Sequence, residues 1–145
     1  MKPEYIVVHH SESGDSITRN WDEIRRYHIK DRGWSDIGYH FGIELIGDKY
    51  EILKGRPEDQ PGAHALGFNS KSIGVCCVGN FDKAEMPAEQ MKVLVILLKT
   101  LMVKYSIQAR NVIGHRETYA MLNKPLEKTC PGLKVDLDKL RVAVG

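Results

Sequence analysis

The sequence predicts an α/β fold, a single domain over residues 1–145 with a central mixed β-sheet flanked by helices. Three observations carry this expectation. The length of 145 residues suits one domain built around one hydrophobic core. Strand-type and helix-type segments are interleaved, with no internal repeat and no linker. Two short runs, YIVVHH and IGVCCV, are apolar on both faces and read as strands buried inside a sheet.

The first element is Tyr5–His10. Tyr5 and Val7 on one face and Ile6 and Val8 on the other are all apolar, which places this strand centrally. Thr18–Lys30 reads as a helix capped by Thr18 or Asn20, with Asp22 and Glu23 in its first turn. Gly33 stops it. Tyr39–Leu45 and Lys49–Leu53 flank Ile46-Gly47-Asp48, a hairpin signal. Gly55–Asn69 is rich in Gly, Pro and polar residues without a period, and loops of that length in compact domains tend to be functional. Ile73–Val78 is the second buried-type strand. Pro87 opens a long helix reaching about Tyr105, apolar on most sides in its middle and therefore largely buried. Asn111–Gly114 is a brief strand, and Asp136–Val142 a short final helix.

Composition narrows the function classes. The formal net charge is +2, without a Lys/Arg block or basic stripe, so nucleic acid is not the expected partner. That mild positive charge does not repel an anionic polymer. The start, MKPEYIVVHH, has no long apolar run after its lysine, and no stretch reads as a membrane span. The chain is expected to be made and kept inside the cell unless something else releases it, without stable membrane insertion. Three cysteines, two of them adjacent, make a poor disulfide framework and suit a reducing compartment.

The chemistry-bearing residues are His9, His10, His28, Tyr39, His40, His64, His115, Lys128 and Cys130. His9 and His10 end the first strand, His115 follows Val112-Ile113-Gly114, and Cys130 sits shortly after in KTCPG. Residues just past the ends of neighbouring strands converge on one sheet edge. Two imidazoles and a thiolate form a borderline-soft, three-ligand set with an open fourth position, the arrangement of catalytic rather than structural zinc. No HExxH or CxxC fixes the spacing. Alternation cannot choose between His9 and His10, because both strand faces are apolar. The competing assignment for each histidine is a surface or hydrogen-bonded core residue, and for Cys130 a small buried hydrophobe. Lys128 stands two positions before Cys130, where its charge favours thiolate.

VVHHSES, GWSDIGYHF, GRPEDQPGAHALGFNSKSIGVCCVGNFD, MPAEQMKVLVILLKTLMVKY and GHRET followed by KTCPG occur in this order. In these segments, which cover nearly the whole chain, the sequence resembles the zinc-dependent N-acetylmuramoyl-L-alanine amidases, a fold shared with peptidoglycan recognition proteins. The resemblance is nearest to the phage T7 lysozyme branch. It implies cleavage of the bond between the lactyl group of N-acetylmuramic acid and L-alanine of the stem peptide. It implies one Zn2+ per chain, with His9, His115 and Cys130 as ligands, and so chooses His9 over His10. It implies catalytic roles for Tyr39 and Lys128. His64 and Asn69 fall where the family lines its substrate groove.

Trp34 lies close enough to Tyr39 to edge that groove, and Arg56 offers a guanidinium for a stem-peptide carboxylate or is a solvated loop charge. Cys76 and Cys77 read as packing residues, His28 and His40 as structural, and His10 as packed or hydrogen-bonded behind the metal. Three other readings use the same fold: a non-catalytic wall-binding module, a cytosolic amidase recycling muropeptides, and a partner-binding regulator beside the enzyme. The intact ligand and catalytic set argues against the first. Cys130 argues against the second, since the recycling group commonly uses aspartate. The expected biology is a monomeric phage or prophage endolysin, made in the host cytoplasm and acting on peptidoglycan after release.

Overall fold

The structure is a computed structural model and describes residues 1–13 and 20–145. Five strands and four α-helices occur among the described residues: β1 Tyr5–His10, α1 Trp21–Arg26, β2 Phe41–Ile46, β3 Lys49–Lys54, β4 Ser72–Cys77, α2 Ala88–Tyr105, β5 Val112–Gly114, α3 His115–Met121 and α4 Leu137–Val144. The sheet order is β3-β2-β4-β1-β5. Only the β2–β3 hairpin is antiparallel; β1 runs parallel to both β4 and β5, and β2 parallel to β4. The sheet is therefore mixed, and β1 lies inside it as its two apolar faces require.

Strand alternation sorts the side chains into two layers. Ile6 and Val8 of β1, Ile73 and Val75 of β4 and Ile43 of β2 join Leu94, Leu98 and Leu101 of α2 and Leu137 and Leu140 of α4 in the main core. Val7 and Ile113 face the other way, with Ala65 and Phe68 of the long loop. Trp21 and Ile24 of α1 complete that second layer with Ile37 and Cys76. Gln90 is 1 % exposed, and its amide donates to the carbonyls of Ile43 and Val78 at 3.1 and 3.2 Å.

Helix α1 begins at Trp21, where the Asn20 side chain accepts the Glu23 N–H at 2.9 Å. Thr18, the other cap candidate, lies outside the described residues. The helix continues past Arg26 as a π-helical turn, Tyr27–Asp31. Helix α3 was not expected. It buries only Thr118, so no apolar period marks it; its one signal is Glu117, placed to cap Gly114. No helix among the described residues is long and apolar enough to cross a membrane.

Candidate active site

The register of β1 against β5 builds the centre of the site. Val8 pairs with Gly114, so His115 follows the strand end and stands beside His9. Their ring centroids are 4.7 Å apart. His9 shares a face with Val7, whereas His10 turns to the α2 face, where its ring lies 6.0 Å from that of Phe81. His10 Nδ1 accepts the Phe81 N–H at 3.0 Å, and its Nε2 has no partner among the described residues.

Cys130 is brought in by a loop held from two sides. Arg116 donates its backbone N–H to the Cys130 carbonyl at 2.7 Å, and its guanidinium reaches the carbonyls of Gly132 and Val135 at 2.6 and 2.7 Å. Asp82 accepts the Thr129 hydroxyl at 2.9 Å and the Leu133 N–H at 2.8 Å. The Cys130–Pro131 peptide is cis. Gly132 has φ +112°, and its α-carbon lies against the Phe81 backbone.

One ligand atom each from His9, His115 and Cys130 lies within 4.8 Å of the others. His9 Nδ1 and Cys130 Sγ are 3.5 Å apart. Nitrogen and sulfur ligands of one tetrahedral zinc, at about 2.0 and 2.3 Å from the ion, are themselves about 3.5 Å apart. The three side chains therefore fit such an ion in donor type, the His9–Cys130 pair matches it in spacing, and all three line a cleft.

Because Nδ1 of His9 faces the sulfur, its Nε2 carries the proton and meets His64 Nδ1 at 2.9 Å. The His64 Nε2–H then points at Ser72 Oγ, 3.4 Å away, which donates to the Phe68 carbonyl at 2.6 Å. The chain of contacts sets one tautomer for each ring. Gly74 gives His64 its room: a Cβ there would come within 2.6 Å of the ring.

Burial dominates the electrostatics. It pushes His9 well below the usual histidine range, helped by the charges of His64 and His115. His115 is lowered to about 4 by burial and then by Lys128. Cys130 is pushed up to about 12 by burial, against the smaller pull of the His10 N–H and Lys128. Lys128 does pull the thiol down, as its place in the sequence implies, but desolvation of the buried sulfur outweighs an ammonium standing in water.

The cleft above these residues has a volume of about 510 Å³, and its lining includes Tyr27, His28, Trp34, Tyr39, Leu66 and Lys128. The sequence matches the N-acetylmuramoyl-L-alanine amidase family over residues 1–133. The chain belongs to this family. The amidase is 43% identical to the endolysin of Escherichia phage T7 over 105 residues, 69% of this chain and 67% of that one. It is 31% identical to peptidoglycan-recognition protein SC2 of Drosophila melanogaster over 137 residues, 90% of this chain and 69% of the relative. Among solved structures, the N-acetylmuramoyl-L-alanine amidase LysC of Clostridium intestinale superposes with a TM-score of 0.78 at 33% identity, covering 97% of this chain and 84% of that one.

The amidase cleft gathers most of the residues singled out in the sequence. The Tyr39 ring lies 5.1 Å from that of His9, and burial, then the charges of Cys76 and Cys130, push its hydroxyl well above the usual range. Lys128 is exposed at the cleft, and its charge is felt at His9, His115 and Cys130. Trp34 lines the wall with the Arg32 guanidinium 5.0 Å over its ring. His64 and Asn69 also line the cleft, but both are engaged internally: Asn69 Oδ1 accepts the N–H groups of His64 and Ala65 at 2.7 and 2.9 Å.

Arg56 is not at the cleft. Its guanidinium donates to the carbonyls of Ile37, Pro61 and Asp36 at 2.8, 3.0 and 3.4 Å, which ties it to the loop backbone. His28, read as structural, forms part of the cleft wall, with its ring 4.6 Å from that of Trp34. It also accepts the Gly38 N–H at 3.0 Å, and burial, then Arg32 and Arg56, lower its pKa to about 4. Its position on the Trp21/Ile24 side of the first helix was the available signal. His40 is buried, bridging the Gly74 N–H and the Gln60 carbonyl at 3.0 and 2.7 Å.

Proposed function

We propose that this amidase hydrolyses the amide between the lactyl group of N-acetylmuramic acid and L-alanine in bacterial peptidoglycan, using one zinc ion per chain. His9, His115 and Cys130 hold the ion. The observation that carries this reading is the convergence of those three ligand atoms within 4.8 Å at the floor of an open cleft, in a chain of this family. Bound zinc supplies Lewis acidity toward a carbonyl oxygen and makes water nucleophilic near neutral pH.

The other residues act around that centre. His64 accepts the His9 Nε2–H and so keeps Nδ1 of His9 free as a lone pair. The Lys128 ammonium, at the cleft, stabilises the negative charge that builds on the carbonyl oxygen. Tyr39, a protonated hydroxyl beside His9, donates to the same oxygen or passes a proton toward the leaving amine. Water oxygen ends on the lactyl carboxylate, and the alanine nitrogen leaves protonated. Trp34 and His28 form a wall for the stem peptide. Residues 1–145 act as one amidase domain and as a monomer. The biology is that of a phage or prophage endolysin, synthesised in the host cytoplasm and acting on the wall after release.

The test couples zinc content to cleavage of purified peptidoglycan, followed by release of free L-alanine amino termini before and after chelation. About one zinc per chain is expected, with activity lost to the chelator and restored by zinc. Cys130→Ala loses zinc and turnover together. Lys128→Ala keeps zinc and loses turnover by about 10²–10³-fold. Zinc and wall binding without release of amino termini would support a recognition module instead.

A further inference from the structure

The family match ends at residue 133, yet a side chain from beyond it braces the footing of His115. His115 is the first residue of α3 and follows directly on Gly114, the last residue of β5. Its direction is therefore set by that strand-to-helix corner. Glu117 Oε1 accepts the Gly114 N–H at 2.9 Å, closing the corner from inside. From α4, Arg141 grips the same carboxylate with both ends of its fork, Nη1 to Oε1 at 2.8 Å and Nη2 to Oε2 at 3.0 Å. Its Nη1 also donates to the Val112 carbonyl at 3.1 Å. One guanidinium thus ties the start of β5, the corner and the first turn of α3. The side chains of Arg141 and Glu117 are 20 % and 31 % exposed, so the pair is shielded from water on most sides. Leu137 of α4 packs on the corner as well: a Cβ on Gly114 would stand 2.5 Å from its Cδ1.

We propose that Arg141 and Glu117 are positioning residues that set the metal affinity of the site through His115. The inference rests on the zinc reading above. Neither residue lines the cleft, so neither touches substrate. A bidentate guanidinium–carboxylate pair fixes direction as well as distance. Without Arg141, Glu117 keeps a single anchor and the corner loosens, so His115 spends less of its time aimed at the point shared with His9 and Cys130. A pair serving stability alone would change melting and leave metal affinity untouched.

The experiment measures the zinc dissociation constant by competition with a chelator, and the ligand-field spectrum of the cobalt-substituted protein. The variants are Arg141→Met, Arg141→Lys, Glu117→Gln and Asp138→Asn. Arg141→Met is expected to weaken zinc binding by about 10–100-fold and to shift the cobalt bands. Arg141→Lys recovers part of both, since an ammonium can meet one carboxylate oxygen. Asp138 bonds Arg141 from a 93 % exposed position, and Asp138→Asn stays at the wild-type values. Wild-type affinity and spectrum in Arg141→Met overturn the proposal, even if its metal-free form melts lower. If Arg141→Met does not fold, Glu117→Gln decides: it keeps an oxygen for the Gly114 N–H and loses the charged pair, and wild-type affinity there overturns the proposal. A wild-type chain that takes up no zinc overturns the zinc reading and this inference together; failure in the variants alone overturns only the inference.

Discussion

Gly132→Ala tests the clamp on Cys130. Gly132 holds φ +112°, a region that L side chains rarely adopt. Forcing alanine into it costs about 1–3 kcal/mol. A Cβ there would also meet the Phe81 carbonyl carbon at 2.5 Å and its Cβ and oxygen at 2.7 Å. Two of those atoms are backbone, so relief requires the loop to move, and overpacking of this kind costs about 1–3 kcal/mol more. The sum is about 2–6 kcal/mol, or roughly 4–24 °C of melting temperature in a domain of this size. Gly47→Ala is the control: it has φ +65° but nothing within 4 Å of the added carbon. Its cost is the backbone share alone, about 1–2 kcal/mol. Calorimetry with and without zinc, together with chelator competition, reads both effects. Gly132→Ala is expected to melt well below Gly47→Ala and to bind zinc more weakly, because Cys130 lies two residues away on the displaced loop. Equal melting in the two variants, with unchanged zinc affinity, would refute the overlap argument.

His64→Phe removes the acceptor of the His9 Nε2–H and is expected to weaken zinc by about 10–100-fold in chelator competition; wild-type affinity would detach His64 from the metal centre. Gln90→Leu removes the donor to the Ile43 and Val78 carbonyls and should cost about 1–3 kcal/mol in urea unfolding, with an unchanged midpoint counting against it. Glu58 supplies a pH dependence. Burial raises its pKa, but hydrogen bonds from Tyr105 at 2.7 Å and Lys104 at 3.0 Å outweigh that and hold it below the usual range. A depressed carboxyl binds its proton less tightly when folded, so its contribution is present above the unfolded value of about 4.3 and is lost as pH falls through the folded value. Glu58→Gln should therefore melt below wild type near neutral pH and converge with it in acid. A gap independent of pH would place the effect elsewhere.

The strands could be read because their apolar patterns are two-sided and local. Tyr5–His10 and Ile73–Val78 follow β1 and β4 to within one residue at each end, since neighbours on both sides demand apolar side chains. The α2 boundary at Pro87 was equally plain, because the proline occupies the N-cap position itself. Helix α3 escaped because its stability comes from Glu117, Gly114 and Arg141, which are brought together by the fold rather than by a period in the sequence. The three converging side chains were singled out as chemistry, and the strand ends gave their meeting place, but the choice of His9 over His10 needed the family. The internal bonds of Arg56 and Asn69 were not legible for one reason: a polar side chain in a loop looks like a free hand, whereas these two satisfy backbone groups of loops that lack ladders of their own.

Arg116 bonds the carbonyls of Cys130, Gly132 and Val135, and its neighbour in the chain is His115. Two of the three proposed ligands thus belong to a single hydrogen-bonded piece before any ion arrives. The entropy of bringing His115 and Cys130 together is spent during folding, and His9 Nδ1 already stands 3.5 Å from the sulfur, so little ordering is left for metal binding. Metal removal should then leave the floor of the cleft nearly intact, and reloading should be fast, limited by access through the cleft rather than by refolding of the site.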